Sequence, residues 1–171
     1  MFVVTDNITL GALSLKKYIK DYLDDNGWLN KYNIYLAGDP SLSDKEIVET
    51  VKDKNKEIGL PLILIDVLTA YNVQTELGNA DGTDLVPMSI LVLGRNDYQM
   101  FTLGNLIRKQ LKDETIITVY DFNKIQASSV GTAVFNNAIL GNISDVNSEI
   151  YFQRHASMIN VTMEINSEDF I

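Results

Sequence analysis

The residues near the end of the chain alternate strictly between apolar and polar, and this feature restricts the fold more than any other. In an extended strand, successive side chains point to opposite faces. One face would carry Ile159, Val161, Met163 and Ile165, and the other Asn160, Thr162 and Glu164. A strand with one apolar and one polar face belongs to a sheet that is buried on one side. The rest of the chain is therefore expected to supply helices that cover that side.

Three segments show the three- and four-residue spacing of apolar residues that is typical of one helix face. They are Ile8 to Asp25, Ser43 to Ile58, and a segment after Gly94 that carries Met100, Leu103, Ile107 and Leu111. Asp6 or Asn7 can cap the start of the first helix, and Asn26-Gly27 supplies a left-handed end. Trp28 and Leu29 are then expected to pack back onto the domain.

Short apolar segments rich in β-branched and aromatic residues predict strands, and polar, turn-rich segments between them predict loops. Strands are expected at 32–37, 61–70, 86–93 and 115–122, followed by two short runs within 130–146 and the alternating segment up to residue 165. A long loop or hairpin is expected near 71–85, and a second long loop near 123–131. This order predicts a single α+β domain over residues 1–171, with a mixed, largely antiparallel curved sheet and about three helices packed on one face.

The composition argues against several classes of protein. The chain has no cysteine, so thiol catalysis, thiolate zinc sites and disulfides are excluded. Its 23 acidic and 14 basic residues give a net charge of -9, which argues against a protein that grips nucleic acid through its phosphates. The longest apolar run, Leu60 to Val67, is too short for a membrane span and contains Pro61 and Asp66. Met1 to Asn7 has no basic residue before its apolar run, so no secretory signal is expected.

The sequence contains no motif for a phosphate, dinucleotide or zinc-hydrolase site. The only histidine, His155, lies on a predicted strand without the partners of a catalytic triad. Asn79 to Asp84 is similar in composition to a calcium loop, but the spacing of its glycine and acidic residues is wrong, and a polar turn is the better interpretation. No catalytic residue, cofactor or metal site is therefore predicted, and a structural or binding role is favoured over an enzyme.

Five short motifs follow one another along the chain. They are Thr9-Leu10-Gly11-Ala12-Leu13, Glu76-Leu77-Gly78, Arg95-Asn96-Asp97-Tyr98-Gln99, Val119-Tyr120-Asp121-Phe122 and Tyr151-x-x-Arg154. In this order they resemble the neck and tail-completion proteins of long-tailed bacteriophages, and the tail terminators in particular. The resemblance covers nearly the whole chain, and each motif in it is short and degenerate.

The resemblance implies a structural virion protein of the tail and neck that is present in the host cytoplasm during assembly. It would form a homohexameric ring that ends polymerisation of the tail tube and joins the tail to the head connector. Its partners would be further copies of the chain, the tail tube protein and the head-tail connector proteins. DNA would pass through the lumen without specific binding, and no membrane would be involved. Such a ring interface is heterologous, because one surface of each subunit meets a different surface of the next.

The resemblance also indicates contact residues. Ring or tube contacts are expected at Glu76, Leu77, Gly78, Tyr98, Gln99, Tyr120 and Phe122. Because a lumen that repels phosphates lets DNA pass, acidic residues are expected on lumen loops, with Glu76, Asp81 and Asp84 as candidates. For each carboxylate, solubilising an exposed loop is an equally good interpretation, and the aromatic residues could instead belong to the core.

Two other functions stay open. A head-closure or connector-adaptor subunit of the neck would fit the same motifs, and the long, charged helix expected at 43–58 is compatible with it. In a different class, a small anion-binding domain or enzyme would use Arg95, Arg154 and His155 around a cleft. Arg154 and His155 are adjacent on a predicted strand and so point to opposite faces, which argues against this alternative.

Overall fold

A computed structural model describes residues 6–37, 60–69, 71–73, 83–112, 114–123, 128–142 and 155–166. Two α-helices lie in these ranges, α1 (Asn7–Leu23) and α2 (Asp97–Gln110). The strands are β1 (Asn33–Leu36), β2 (Leu62–Val67), β3 (Tyr71–Val73), β4 (Thr83–Gly94), β5 (Thr115–Asp121), β6 (Ser128–Asn142) and β7 (His155–Asn166). The predicted α+β class is confirmed.

The seven strands form one mixed, curved sheet in the order β1-β2-β4-β7-β6-β5, and β3 pairs with β4 beside this row. β1 and β2 run parallel, and the other described pairs are antiparallel. The longest pairing joins β4 to β7, from Thr83 opposite Asn166 to Gly94 opposite His155. This pairing defines the two ends of the sheet.

Both helices pack on the same face of the sheet. A Cβ added at Gly11 of α1 would lie 2.7 Å from side-chain atoms of Met163 and Ile165, and a Cβ at Gly104 of α2 would lie 3.0 Å from Ser157 Oγ. Met163, Ile165 and Ser157 are all odd-numbered positions of β7 and therefore point to one face. Glycine at these two helix positions lets each helix approach the sheet closely, and the face predicted to be apolar is the covered one.

The main core lies between this face and the two helices. The stripe predicted on α2 is buried, because Met100, Leu103, Ile107 and Leu111 are each at most 1% exposed. Phe135 of β6 is the largest fully buried side chain of the described residues. A second, smaller cluster lies on the other face of the sheet and consists of Leu60, Leu62, Leu93 and Ala156.

α1 begins and ends as the sequence predicts. Asp6 caps its start by accepting a hydrogen bond from the backbone nitrogen of Thr9 at 2.8 Å. The helix runs into a π-helical turn, Asp24–Trp28, in which Gly27 has a left-handed φ of 82°. Trp28 packs against the core as expected. Leu29 is 57% exposed, so the expectation that it packs back is wrong: it lies in the turn that follows Trp28.

The polar segments contain more strand than the sequence predicts. Near 71–85, β3 pairs with the first residues of β4, which favours the hairpin interpretation over the loop. The loop expected at 123–131 is strand from Ser128 onward, and the two short runs within 130–146 are one strand, β6, with a bulge between Asn136 and Ile139. Pairing with neighbouring strands stabilises these polar residues as strand, which their own propensity does not reveal. The helix predicted at 43–58 lies outside the described residues.

Candidate functional site

The first turn of α2 is held against the end of β4. A Cβ at Gly94 would lie 2.7 Å from a backbone nitrogen of α2, so the close approach requires glycine. The Asn96 side chain caps the helix by accepting a hydrogen bond from Gln99 N at 2.8 Å, and Gln99 Oε1 in turn accepts one from Arg95 N at 2.8 Å. Arg95 Nε also donates to the Leu60 carbonyl oxygen at 3.2 Å. These contacts fix where the exposed face of the first turn points.

Two aromatic residues on that face form an exposed pair, named here the α2 aromatic pair: Tyr98, 82% exposed, and Phe101, 41% exposed. They are three residues apart and therefore neighbours on one side of the helix. Tyr98 was predicted as a contact residue, and its exposure is what a contact requires. Phe101 was missed, although the helical period places it outside the buried stripe that contains Met100 and Leu103. Gln99 is half-buried, and its side chain is engaged in the helix cap.

A second pair, the β5 aromatic pair, consists of Tyr120 and Phe122 at the end of β5. Their rings meet edge to face with centroids 6.2 Å apart. The backbone nitrogen of Tyr120 donates to Ser14 Oγ of α1 at 2.9 Å, and Lys17 Nζ lies 5.9 Å from the Tyr120 ring. Phe122 is 36% exposed. The pair is thus attached to α1 and still presents an aromatic ring to solvent.

The two pairs lie at opposite ends of the sheet. α2 follows Gly94, which pairs with His155 at one end of β7. Ile117 of β5 is level with Ile165 near the other end, and Tyr120 lies three residues further along. Because β4 and β7 pair over their full length at about 3.3 Å per residue, these ends are roughly 36 Å apart.

Of the remaining residues predicted to contact the ring or tube or to line the lumen, the structure describes only Asp84. Glu76, Leu77, Gly78 and Asp81 lie outside the described residues. Asp84, expected on a lumen loop, is instead a half-buried strand residue of β4 paired with Asn72 and Ile165. The expectation that Asp84 lies in a loop is therefore wrong, because the hairpin of β3 and β4 extends that far.

A groove of about 620 Å³ lies beside the bulge of β6 and the C-terminal end of α2. Its lining residues are Arg108, Lys112, Glu114, Asn136, Asn137, Ala138 and Ile139. Asn136 Nδ2 donates to Glu164 Oε1 at 2.6 Å, while Asn136 Oδ1 is buried without a hydrogen-bond partner. No motif of the sequence predicts this groove. The only available signal was Asn136-Asn137, since asparagine tolerates the left-handed φ of 59° that Asn137 adopts at the bulge.

The described residues contain no group of three or more His, Cys, Asp or Glu side chains that could hold a metal ion. The backbone of β7 places His155 opposite Gly94, next to Arg95, while Arg154 lies outside the described residues. Among the helices described, none is long and apolar enough to cross a membrane.

Comparison with protein-family models and with curated proteins found no relative. No protein-family model matches the chain, and a search of curated proteins finds no match to it.

Proposed function

We propose that this protein is a structural subunit of a phage neck, a tail terminator that forms a homohexameric ring, ends growth of the tail tube and joins the tail to the head connector. One observation carries the proposal: two aromatic pairs, each with an exposed member, lie at opposite ends of one continuous sheet in which the pairing of β4 with β7 is roughly 36 Å long. Aromatic residues are enriched in protein interfaces, where they contribute much of the binding energy.

A terminator must bind two different partners, one along each direction of the tail axis. A sheet with helices on one face is stiff along its strands, so it keeps its two ends at a fixed separation. In the proposed ring, one aromatic pair contacts the tail tube protein and the other contacts the connector.

The same geometry fits a head-closure or connector-adaptor subunit, which also has partners on two sides. That subunit would bind the portal side and would not end a tube. The two functions differ in which structure fails when the protein is missing.

The test is electron microscopy of phage particles assembled without this protein, followed by addition of the purified protein. Overlong tails without heads that are corrected by the added protein would support the terminator. Tails of normal length beside filled heads that leak DNA would identify a head-closure subunit. Intact virions would contradict both functions.

The α2 aromatic pair is tested in the same add-back assay with the Tyr98→Ser variant. Because Tyr98 is 82% exposed, this variant is expected to keep the wild-type midpoint of thermal unfolding while losing most of the add-back activity. Asn105→Ser, at an exposed position of the same helix, is the matched control and should retain activity. Full activity of the Tyr98→Ser variant would remove the α2 aromatic pair from the proposed site.

A further inference from the structure

The strand β6 is about twice as long as its neighbour β5. β5 pairs with β6 only from Ser128 to Phe135. From residue 136 to 142, β6 pairs with β7 on one side, and no described residue pairs with its other side. This stretch, named here the open β6 edge, presents backbone N–H and C=O groups of a strand at the border of the sheet.

The opposite border of the sheet is β1, which pairs with β2 on one side and with no other described strand. The registers place one row of residues across the sheet: Leu36, Ile65, Ile90, Ile159 and Leu140. β1 and the open β6 edge therefore lie at the same height along the strands, on opposite sides of a band of five strands. With about 4.8 Å between neighbouring strands, this band is about 19 Å wide.

Neither β1 nor the open β6 edge has a charged residue of its own, which is the usual protection of an exposed strand edge. Residues 32–37 and 136–142 contain no Lys, Arg, Asp, Glu or Pro, although 22% of the chain is charged. Natural proteins protect exposed edges with charged residues, proline or bulges. The bulge of β6 lies where β5 stops, and beyond it Ile139–Asn142 pairs regularly with β7. These four residues match the four of β1 in length, and Ile139 is 65% exposed.

We propose that β1 of one copy pairs with the open β6 edge of the next copy, so that the sheets of neighbouring subunits become continuous. The strand directions make this pairing antiparallel. β1 is parallel to β2, and the pairs β2–β4, β4–β7 and β7–β6 are each antiparallel, so β6 runs in the opposite direction to β1. A neighbour related by rotation about an axis along the strands therefore presents β1 antiparallel to β6. The contact is heterologous and generates a ring when the rotation closes.

The groove beside the bulge adjoins the open β6 edge, because Asn136 and Ile139 belong to both. Asn136 Oδ1, at the start of the open β6 edge, is buried without a hydrogen-bond partner. The groove of about 620 Å³ lies where β5 stops, and five of its seven lining residues are polar or charged.

Disulfide cross-linking tests the pairing directly, because the native chain has no cysteine. If residues of the same row pair, Leu36 is opposite Leu140 and Tyr35 is opposite Gly141. A shift of two residues along β6 would place Tyr35 opposite Ile139. Chains with Tyr35→Cys and either Gly141→Cys or Ile139→Cys should form a ladder of covalent oligomers on oxidation. The matched control combines Tyr35→Cys with Ile116→Cys, because Ile116 of β5 is 66% exposed on the same face. No ladder, or an equal ladder in the control, would overturn the proposal.

A second measurement does not depend on the fold of the Tyr35→Cys chain. Ile139→Lys places a charge on the open β6 edge and is expected to abolish self-association in light scattering and the add-back activity, whereas Ile116→Lys, equally exposed, should leave both unchanged. The edge pairing deepens the proposed function but can fail separately from it. If the wild-type ring ends tube growth, but the cysteine variants form no cross-linked ladder and Ile139→Lys has no effect, only the edge pairing is refuted. Edge-dependent oligomers that leave tail length uncorrected would refute only the terminator.

Discussion

At the scale of single residues, Tyr32 joins the end of α1 to the start of β1. Its hydroxyl lies 3.0 Å from the Lys20 carbonyl oxygen and 2.9 Å from Asp24 Oδ1. The hydrogen bond from the Lys20 amine, together with the Tyr32 hydroxyl, holds the pKa of Asp24 below its usual value. Burial, and then the hydrogen bond to Asp24, raises the pKa of Tyr32. The ionised carboxylate and the neutral phenol are therefore the forms that the folded protein favours.

Tyr32→Phe is expected to lower the free energy of unfolding by about 1 kcal/mol at pH 7, the usual contribution of one hydrogen bond. Because the pKa of Asp24 is lower in the folded than in the unfolded chain, the stability that its charge contributes is present above its unfolded pKa and is lost as the pH falls through the folded one. The effect of Tyr32→Phe should therefore shrink in acid.

Urea unfolding at neutral pH and at a pH below the usual Asp range measures this difference. Tyr98→Phe, at an exposed hydroxyl, is the control and should change stability at neither pH. An equal loss for Tyr32→Phe at both pH values would show that the charged form of Asp24 does not matter to this contact.

At the scale of elements, the junction of β4 and α2 depends on Gly94. An added Cβ would meet backbone atoms at 2.7 Å and 2.9 Å, and backbone cannot move aside as a flexible side chain can. Gly94→Ala is therefore expected to cost about 2–3 kcal/mol of unfolding free energy, the upper range for overpacking. Gly141→Ala is the matched control: its nearest atom is 3.8 Å away, so its effect should stay within about 0.5 kcal/mol. Chemical unfolding of both variants decides the point, and equal stabilities would contradict the packing argument.

The helices and strands differ in whether their local sequence was enough to predict them. α1 and α2 were predictable because each has a side-chain cap and a regular apolar stripe that no tertiary contact has to supply. β6 was not, because Asn136-Asn137 is a turn sequence by itself. In the fold, pairing with β7 continues on both sides of these residues and turns a break into a bulge.

At the scale of the whole molecule, charge makes a prediction that does not depend on any one residue. With a net charge of -9, the protein is expected not to bind duplex DNA even at low salt, where phosphate contacts are strongest. This is what a ring through which DNA passes needs. Binding is measured by the fluorescence anisotropy of labelled duplex DNA at low and at physiological salt. A basic DNA-binding protein serves as the positive control. Binding that weakens as salt is added would reveal a basic surface that the overall charge conceals.

The candidate site was only partly predictable. Tyr98, Tyr120 and Phe122 were singled out by the motif resemblance, and two of them, Tyr98 and Phe122, have the most exposed rings of their pairs. Phe101 could have been found from the helical period. The placement of the two pairs at opposite ends of the sheet could not be predicted, because it depends on the pairing of β4 with β7, whose residues are far apart in the chain.

The sequence by itself determined the class of fold, the two described helices, the apolar face of β7 and the acidic character of the surface, because periodicity, caps and charge are local properties of a chain. The tertiary structure alone decided the order of the strands, the extent of β6 beyond β5, and the placement of the aromatic pairs at opposite ends. Strand order and register arise from contacts between distant residues, and many pairings satisfy the same alternation of apolar and polar side chains.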